Sequence, residues 1–160
     1  MKKVMSDNGN ILQQSVYITA VCRGGQMNSP IIFMVSGEPV PKQSTRFDGR
    51  GRAHTDQRIA VWQACVGWQA RETMRAFPPL TGPVSVRIVF SLGNARRVDL
   101  DNLSKAILDA INGIVIKDDR QVVNLHLMKY IRKTPGVIVE VYPGNYLPPF
   151  AGDNGWTNPT

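Results

Sequence analysis

Val84-Ser-Val-Arg-Ile-Val-Phe-Ser-Leu92, followed by Gly93-Asn-Ala-Arg-Arg97 and Val98-Asp-Leu-Asp-Asn-Leu-Ser-Lys105, is the stretch in which the hydrophobic period changes from two to 3.6. Over 84–92 apolar residues alternate well enough to predict a strand. From Asp101 or Asn102 onward, Leu103, Ala106, Ile107, Ala110, Ile111 and Ile114 form an apolar stripe at helical spacing, and Asn112-Gly113 supplies a left-handed stop. Upstream, the run Ile31-Ile-Phe-Met-Val35 predicts a strand ended by Gly37, and Pro39 and Pro41 exclude regular structure after it. Lys42 to His54 reads as a loop. Thr55 is a suitable N-cap for a helix to about Ala76, with Ile59, Trp62, Val66 and Ala70 facing the core and Trp68 also packed. Downstream, a strand over 122–131, a turn at Thr134-Pro-Gly136 and a strand over 137–142 predict an antiparallel hairpin. The order implies an α/β (α+β) domain, with a mixed sheet of about four strands and two main helices.

At 160 residues the chain is the size of one domain. The expected organisation is an N-terminal extension over 1–30, holding one short strand near Ser15–Cys22, a working domain over 31–142 and a disordered tail over 143–160. Arg23-Gly-Gly-Gln-Met27 suggests Met27 as a natural start. Nineteen Lys and Arg against twelve Asp and Glu leave +7, which favours nucleic acid or an anionic surface as partner. No stretch reaches membrane-spanning length, and Lys2-Lys3 is followed by polar residues rather than an apolar signal core, so a cytoplasmic location is expected. Cys22 and Cys65 make no disulfide framework and are expected as reduced thiols, Cys65 packed on its helix. His54 and His126 have no local partners for a zinc site.

An acidic cluster inside this basic chain carries the chemistry. Asp99 and Asp101 are spaced i,i+2, so in extended chain both carboxylates leave from one side, and like charges held that close favour a cation between them. Hard divalent cations take oxygen ligands, and Mg²⁺ combines a few carboxylates with water and substrate phosphate. Helix capping is the competing role for Asp101, but it does not account for Asp99. Lys105, one turn after Asp101, leans back over the carboxylates; pairing with Asp109 is its alternative. Asp118-Asp119 precedes the next strand, and the pattern leaves open which of the two joins the cluster. An EF-hand loop is excluded by the missing Gly and closing Glu, and no Ser/His/Asp or Cys/His arrangement is present.

Asp99-Leu-Asp-Asn-Leu-Ser-Lys105, Ala106-x-x-Asp109-Ala110 and Asp118-Asp119-x-Gln121-Val122 together resemble the RusA family of Holliday junction resolvases. Lys129, Pro39-Val-Pro-Lys42 and Gly51-Arg-Ala-His54 fit the same pattern, and the resemblance spans roughly residues 31–142. It departs from the family at Val98, where many relatives carry Pro, and in the N-terminal extension.

The resemblance implies that Asp99, Asp101 and Asp119 hold Mg²⁺, with Mn²⁺ as a substitute, and that Lys105 is catalytic. It implies a homodimer that nicks four-way DNA junctions in pairs during recombination and repair, in a phage or prophage setting. The long helix or the 137–142 strand is the expected dimer surface. Lys42, Arg46, Arg50, Arg52, Arg96, Arg97 and Lys129 are the expected phosphate contacts. The alternative is a dimer that binds branched DNA without cutting it; three retained carboxylates argue against that.

Overall fold

The computed structural model describes residues 29–42, 57–75, 77–95, 98–146 and 148, with the backbone of 22–23, 26–27, 46–47 and 53–54. The expectations for the Ser15 end of the N-terminal strand and for Arg50, Arg52, Arg96 and Arg97 lie outside the described residues. So does the Arg46 side chain.

Two short antiparallel pairs precede the helices: β1 (Cys22–Arg23) with β2 (Gln26–Met27), and β4 (Arg46–Phe47) with β5 (Ala53–His54). Within the expected 42–54 loop, residues 46–47 and 53–54 therefore pair as short strands. The main sheet consists of β3 (Ile31–Ser36), β6 (Val84–Leu92), β7 (Val122–Ile131) and β8 (Gly136–Pro143), in the order β3-β8-β6-β7. Helices α1 (Gln57–Met74) and α2 (Leu100–Ile111) pack on its apolar face. The mixed four-stranded sheet with two helices agrees with the sequence reading.

The hairpin does not. β8 lies antiparallel to β6 and β3, whereas β7 pairs with β6 in parallel. The connection after β7 crosses the end of β6, where the Arg132 N–H donates to the Leu92 carbonyl. Burial explains this order. Every residue of β6 except Ser91 is buried, on both faces of the strand, whereas most of β7 is exposed or half-buried. The strand buried on both faces takes a central place, and β7, none of whose residues is fully buried, is left at the edge. Gly136 permits β8 to approach β3, since a Cβ there would lie 2.8 Å from the Val35 carbonyl oxygen.

The core joins alternate residues of the strands (Phe33, Ile88, Phe90, Val139) to Trp62 and Val66 of α1 and Leu103 and Ile107 of α2. Ile59, Trp62, Val66 and Ala70 are buried as expected, but Trp68 is 56% exposed and Cys65 is also exposed. Both lie off the core-facing stripe of α1, lining an open groove with Val35 and Ser36 of β3, in keeping with their spacing from the core positions.

On the sheet's other face Arg87 is buried and donates to Glu140 at 2.9 Å and to the Pro148 carbonyl. Tyr142 donates to the same Glu140 carboxylate at 2.7 Å, and burial pushes its phenol up to about 12. The Gly144 N–H donates to the Pro83 carbonyl, so the chain after β8 begins bound to the sheet. Glu140→Ala leaves a buried guanidinium without its carboxylate and should lower unfolding free energy by about 3–5 kcal/mol in urea titration. Arg87→Met combined with Glu140→Leu should recover most of that loss.

Candidate active site

The N-terminus of α2 follows β6 after a short excursion and carries three of the four residues singled out by sequence. Asp99 is the N-cap residue, with extended backbone and no side-chain capping hydrogen bond, and it is exposed. Asp101 lies inside the first helical turn, so the i,i+2 extended geometry expected from sequence is not adopted. Lys105 leans back as predicted and donates to Asp101 Oδ2 at 3.0 Å. This contact, helped by backbone N–H groups at the helix start, holds the Asp101 carboxyl below its ordinary value. Its rival partner Asp109 is engaged elsewhere, by Lys42 at 2.5 Å and by Gln63 at 3.2 Å.

Two lysines fasten this helix end. The Lys42 N–H donates to the Asn102 carbonyl at 2.8 Å, tying the Pro39–Lys42 segment to α2. The Lys129 ammonium donates to the Val98 carbonyl at 2.6 Å, immediately before Asp99. Both were expected as phosphate contacts. In this structure they brace the backbone and helix that present the carboxylates. Gln63, which also donates to the Ala106 carbonyl at 3.3 Å, was not singled out from sequence because its partner lies 43 positions away.

Asp118 and Asp119 have different environments. Asp118 caps a single 3-10 turn (Asp119–Gln121), accepting from the Arg120 N–H while Gln121 reaches back to the Asp118 N–H. It also takes a forked pair of bonds from the Arg120 guanidinium at 2.8 Å each, which holds its carboxyl well below the ordinary range. Asp118-x-x-Gln121 is a capping-box pattern, readable from sequence. With Asp118 occupied in structure, Asp119 is the exposed acid of the pair.

Within one chain Asp119 does not meet Asp99 and Asp101. Gln121 donates to the Leu80 and Gly82 carbonyls, which fixes the Asp119 turn beside the start of β6. Asp99 stands beyond the far end of β6, beside Lys129. Lys129 lies seven residue steps along the strand from Val122, roughly 23 Å at the usual rise. The donor chemistry, three hard carboxylates, fits an ion of the Mg²⁺ class. Among the described residues, however, no three His, Cys, Asp or Glu side chains of one chain are close enough to hold one. The sequence reading treated the three as one centre per chain; the fold separates them into a pair and a single acid.

The family model of endodeoxyribonuclease RusA matches residues 36–142. The chain belongs to the RusA family. It is 32% identical over 116 residues to a crossover junction endodeoxyribonuclease RusA of Aquifex aeolicus, covering 71% of this chain and 91% of that protein. It is also 30% identical over 139 residues to the uncharacterized protein YqaN of Bacillus subtilis, covering 69% of this chain and 94% of that relative. Membership makes the chain an endodeoxyribonuclease, a hydrolase, and the RusA match contains both acidic segments. No helix among the described residues is long and apolar enough to cross a membrane.

Lys105→Met should raise the Asp101 titration toward the ordinary carboxylate value, read by NMR pH titration without divalent cations. The pair's contribution to stability is complete above the ordinary carboxylate pKa and is lost as pH falls through the lowered one. An unchanged Asp101 titration would show that the pair does not form in solution.

Proposed function

We propose that this protein is a Mg²⁺-dependent Holliday junction resolvase that makes paired nicks in four-way DNA junctions as a homodimer, with residues 31–142 as its working domain. The observation that carries the proposal is the exposed Asp99 and Asp101 with Lys105 at 3.0 Å, on the helix start of a RusA-family chain. A junction has two strands to cut, and a two-fold dimer provides two equivalent centres.

The split carboxylate set supports a particular form of that dimer. Since Asp119 is far from the pair in its own chain, each ion site combines Asp99 and Asp101 of one protomer with Asp119 of its partner. When bound there, Mg²⁺ supplies an activated water and charge stabilisation at the scissile phosphate. Lys105 places a positive charge beside Asp101, where it stabilises negative charge building on the phosphate oxygens. Lys129 and Lys42 hold the α2 start in position. Three or four DNA phosphate contacts per chain come from their remaining N–H donors and from among Arg46, Arg50, Arg52, Arg96 and Arg97. Junction processing of this kind belongs to recombination and repair in the cytoplasm, in a phage or prophage setting.

Asp→Asn at 99, 101 or 119 should each lower junction cleavage by a factor of 100 or more, on the order of the loss of a critical charged catalytic group. Binding should persist and cleavage should depend on Mg²⁺ or Mn²⁺. Asp118→Asn should be milder. Mixing Asp101→Asn chains with Asp119→Asn chains tests the sharing: a mixed dimer then holds one intact centre and nicks a single strand. Mixtures as inactive as either parent would reject sharing, and wild-type cleavage by Asp101→Asn would reject the site.

Binding to a four-way junction should exceed binding to linear duplex. With three or four basic residues per chain, the slope of log K against log salt should be about −5 to −7. Arg50→Ala with Arg52→Ala should make it shallower. Equal affinity for junction and duplex would remove the case for structure selectivity.

A further inference from the structure

β3 is an outer strand of the main sheet, paired with β8 on one side and, among the described residues, with nothing on the other. Beside that free edge an open groove runs between β3 and α1, lined by Val35, Ser36, Val61, Cys65 and Trp68 and continuing past Gly37 and Trp62. Val61 and Trp68 are 57% and 56% exposed, and Met34, on the sheet's other face, is 48% exposed. An apolar groove along an unpaired edge is a place for one more strand.

The backbone just upstream of β3 points to the occupant. β1 and β2 pair antiparallel, with Cys22 opposite Met27 and Arg23 opposite Gln26. Gly24 and Gly25, between them, are residues that a two-residue hairpin turn favours. The chain before Cys22 is thus directed back along the residues that lead into β3. Continued in the same register, Ile18 falls opposite Ile31, Tyr17 opposite Ile32, Val16 opposite Phe33 and Ser15 opposite Met34.

The phase of the hydrogen bonds agrees with this register. The pair flanking a two-residue turn is hydrogen-bonded, and bonded pairs then alternate along the ladder. From Gln26 onward, the residues offered to the returning segment are therefore 28, 30, 32 and 34. On β3 the Gly37 N–H donates to the Pro135 carbonyl, which with the β3–β8 register sets the bonds of 31, 33 and 35 toward β8. The N–H and C=O groups of 32 and 34 consequently point to the free edge, as the hairpin requires. Pro30 has no N–H, so one bond is missing there and the ladder resumes at Ile32.

The side-chain pattern agrees independently. Leu12-Gln-Gln-Ser-Val-Tyr-Ile-Thr-Ala-Val21 contains no charged residue, proline or glycine. In this register Val16 and Ile18 share the face of Phe33 and Ile31, which are buried on the helix side of the sheet. Ser15, Tyr17 and Thr19 share the face of Met34 and Ile32. A one-residue slip at the Ser29 bend would exchange the two sets and turn Ser15, Tyr17 and Thr19 into the groove.

We propose that residues 12–21 add to the free edge of β3 as a fifth, antiparallel strand of the main sheet, with Leu12, Val16 and Ile18 closing the groove against α1. Leu12 falls beside Gly37, at the part of the groove that Trp62 lines. The short tether holds the segment at high effective concentration against its own β3, which favours it over a second copy of the chain. This strand does not rest on the cleavage reading.

Amide hydrogen exchange of the full chain, read by NMR at two protein concentrations, tests it. Ile32 and Met34 should exchange at least about tenfold more slowly than in Val16→Asp with Ile18→Asp, at rates independent of concentration. Fast exchange at both amides in the wild type, or protection that survives the double substitution, would overturn the proposal. Protection that grows with concentration would assign the edge to a second copy and overturn it as well. Should the double variant fail to fold, cross-linking decides. With Cys22→Ser and Cys65→Ser in place, Ser15→Cys with Met34→Cys should form a disulfide within one chain, and Val16→Cys with Met34→Cys should not. Equal yields from the two pairs, or none from either, would reject the register.

Discussion

The parallel pairing of β6 and β7 is the constraint on which the rest of this molecule depends. Parallel neighbours cannot be joined by a tight turn, so the chain must leave the far end of β6 and return to the near end of β7. That return is α2. Its first turn therefore stands at one end of the sheet and the segment after it at the other. Asp99 and Asp101 belong to the first place and Asp119 to the second, and no local adjustment of side chains spans a strand's length. The split of the acidic set follows directly from the strand order.

Strand order in turn follows from where apolar surface lies. Residues 84, 86, 88, 90 and 92 face the helices, and Ser85, Arg87 and Val89 on the opposite face are buried as well. A strand covered on both faces belongs inside the sheet, and β6 takes β7 on one side and β8 on the other. The short connection after Ile131 was read as a hairpin turn because Thr134-Pro-Gly136 has the right chemistry for one. Length and composition of a connection say that two strands are near each other, not that they are paired. The hydrogen bonds from Arg132 to Leu92 and from Gly37 to Pro135 show the connection passing over the end of β6 instead.

Much of the local structure was legible in the sequence. The alternation in 84–92, the stripe from Leu103 to Ile114 and the stop at Gly113, whose φ is 73°, all correspond to observed elements. Lys105 over Asp101 was legible for the same reason: both the spacing and the lean of helical side chains are local properties. What was not legible is non-local. Gln63 reaching Ala106, Lys42 reaching Asp109 and Lys129 reaching Val98 each depend on elements brought together by the sheet. The basic residues were read as one class facing DNA, whereas Lys42 and Lys129 are engaged in holding the α2 start. Trp68 was taken as core because aromatics in helices usually are, but its angular position places it on the outer face.

Charge in this protein is arranged by job rather than by region. Arg87 lies in the sheet and is balanced there by Glu140, so it adds nothing to the field outside. Arg120 is balanced by Asp118 at the surface. Removing such internally matched pairs leaves an outward excess of positive charge, together with Asp99, Asp101 and Asp119 as exposed acids. Acids left exposed in a basic nuclease repel the phosphate that the rest of the surface attracts, unless a cation lies between them. In the proposed assembly a lone chain offers only an incomplete set of ligands at each end. Cation binding is then linked to pairing of two chains, because a site formed only in the dimer stabilises the dimer when filled. The same two-fold operation that completes one centre completes the second, so pairing of two chains supplies both.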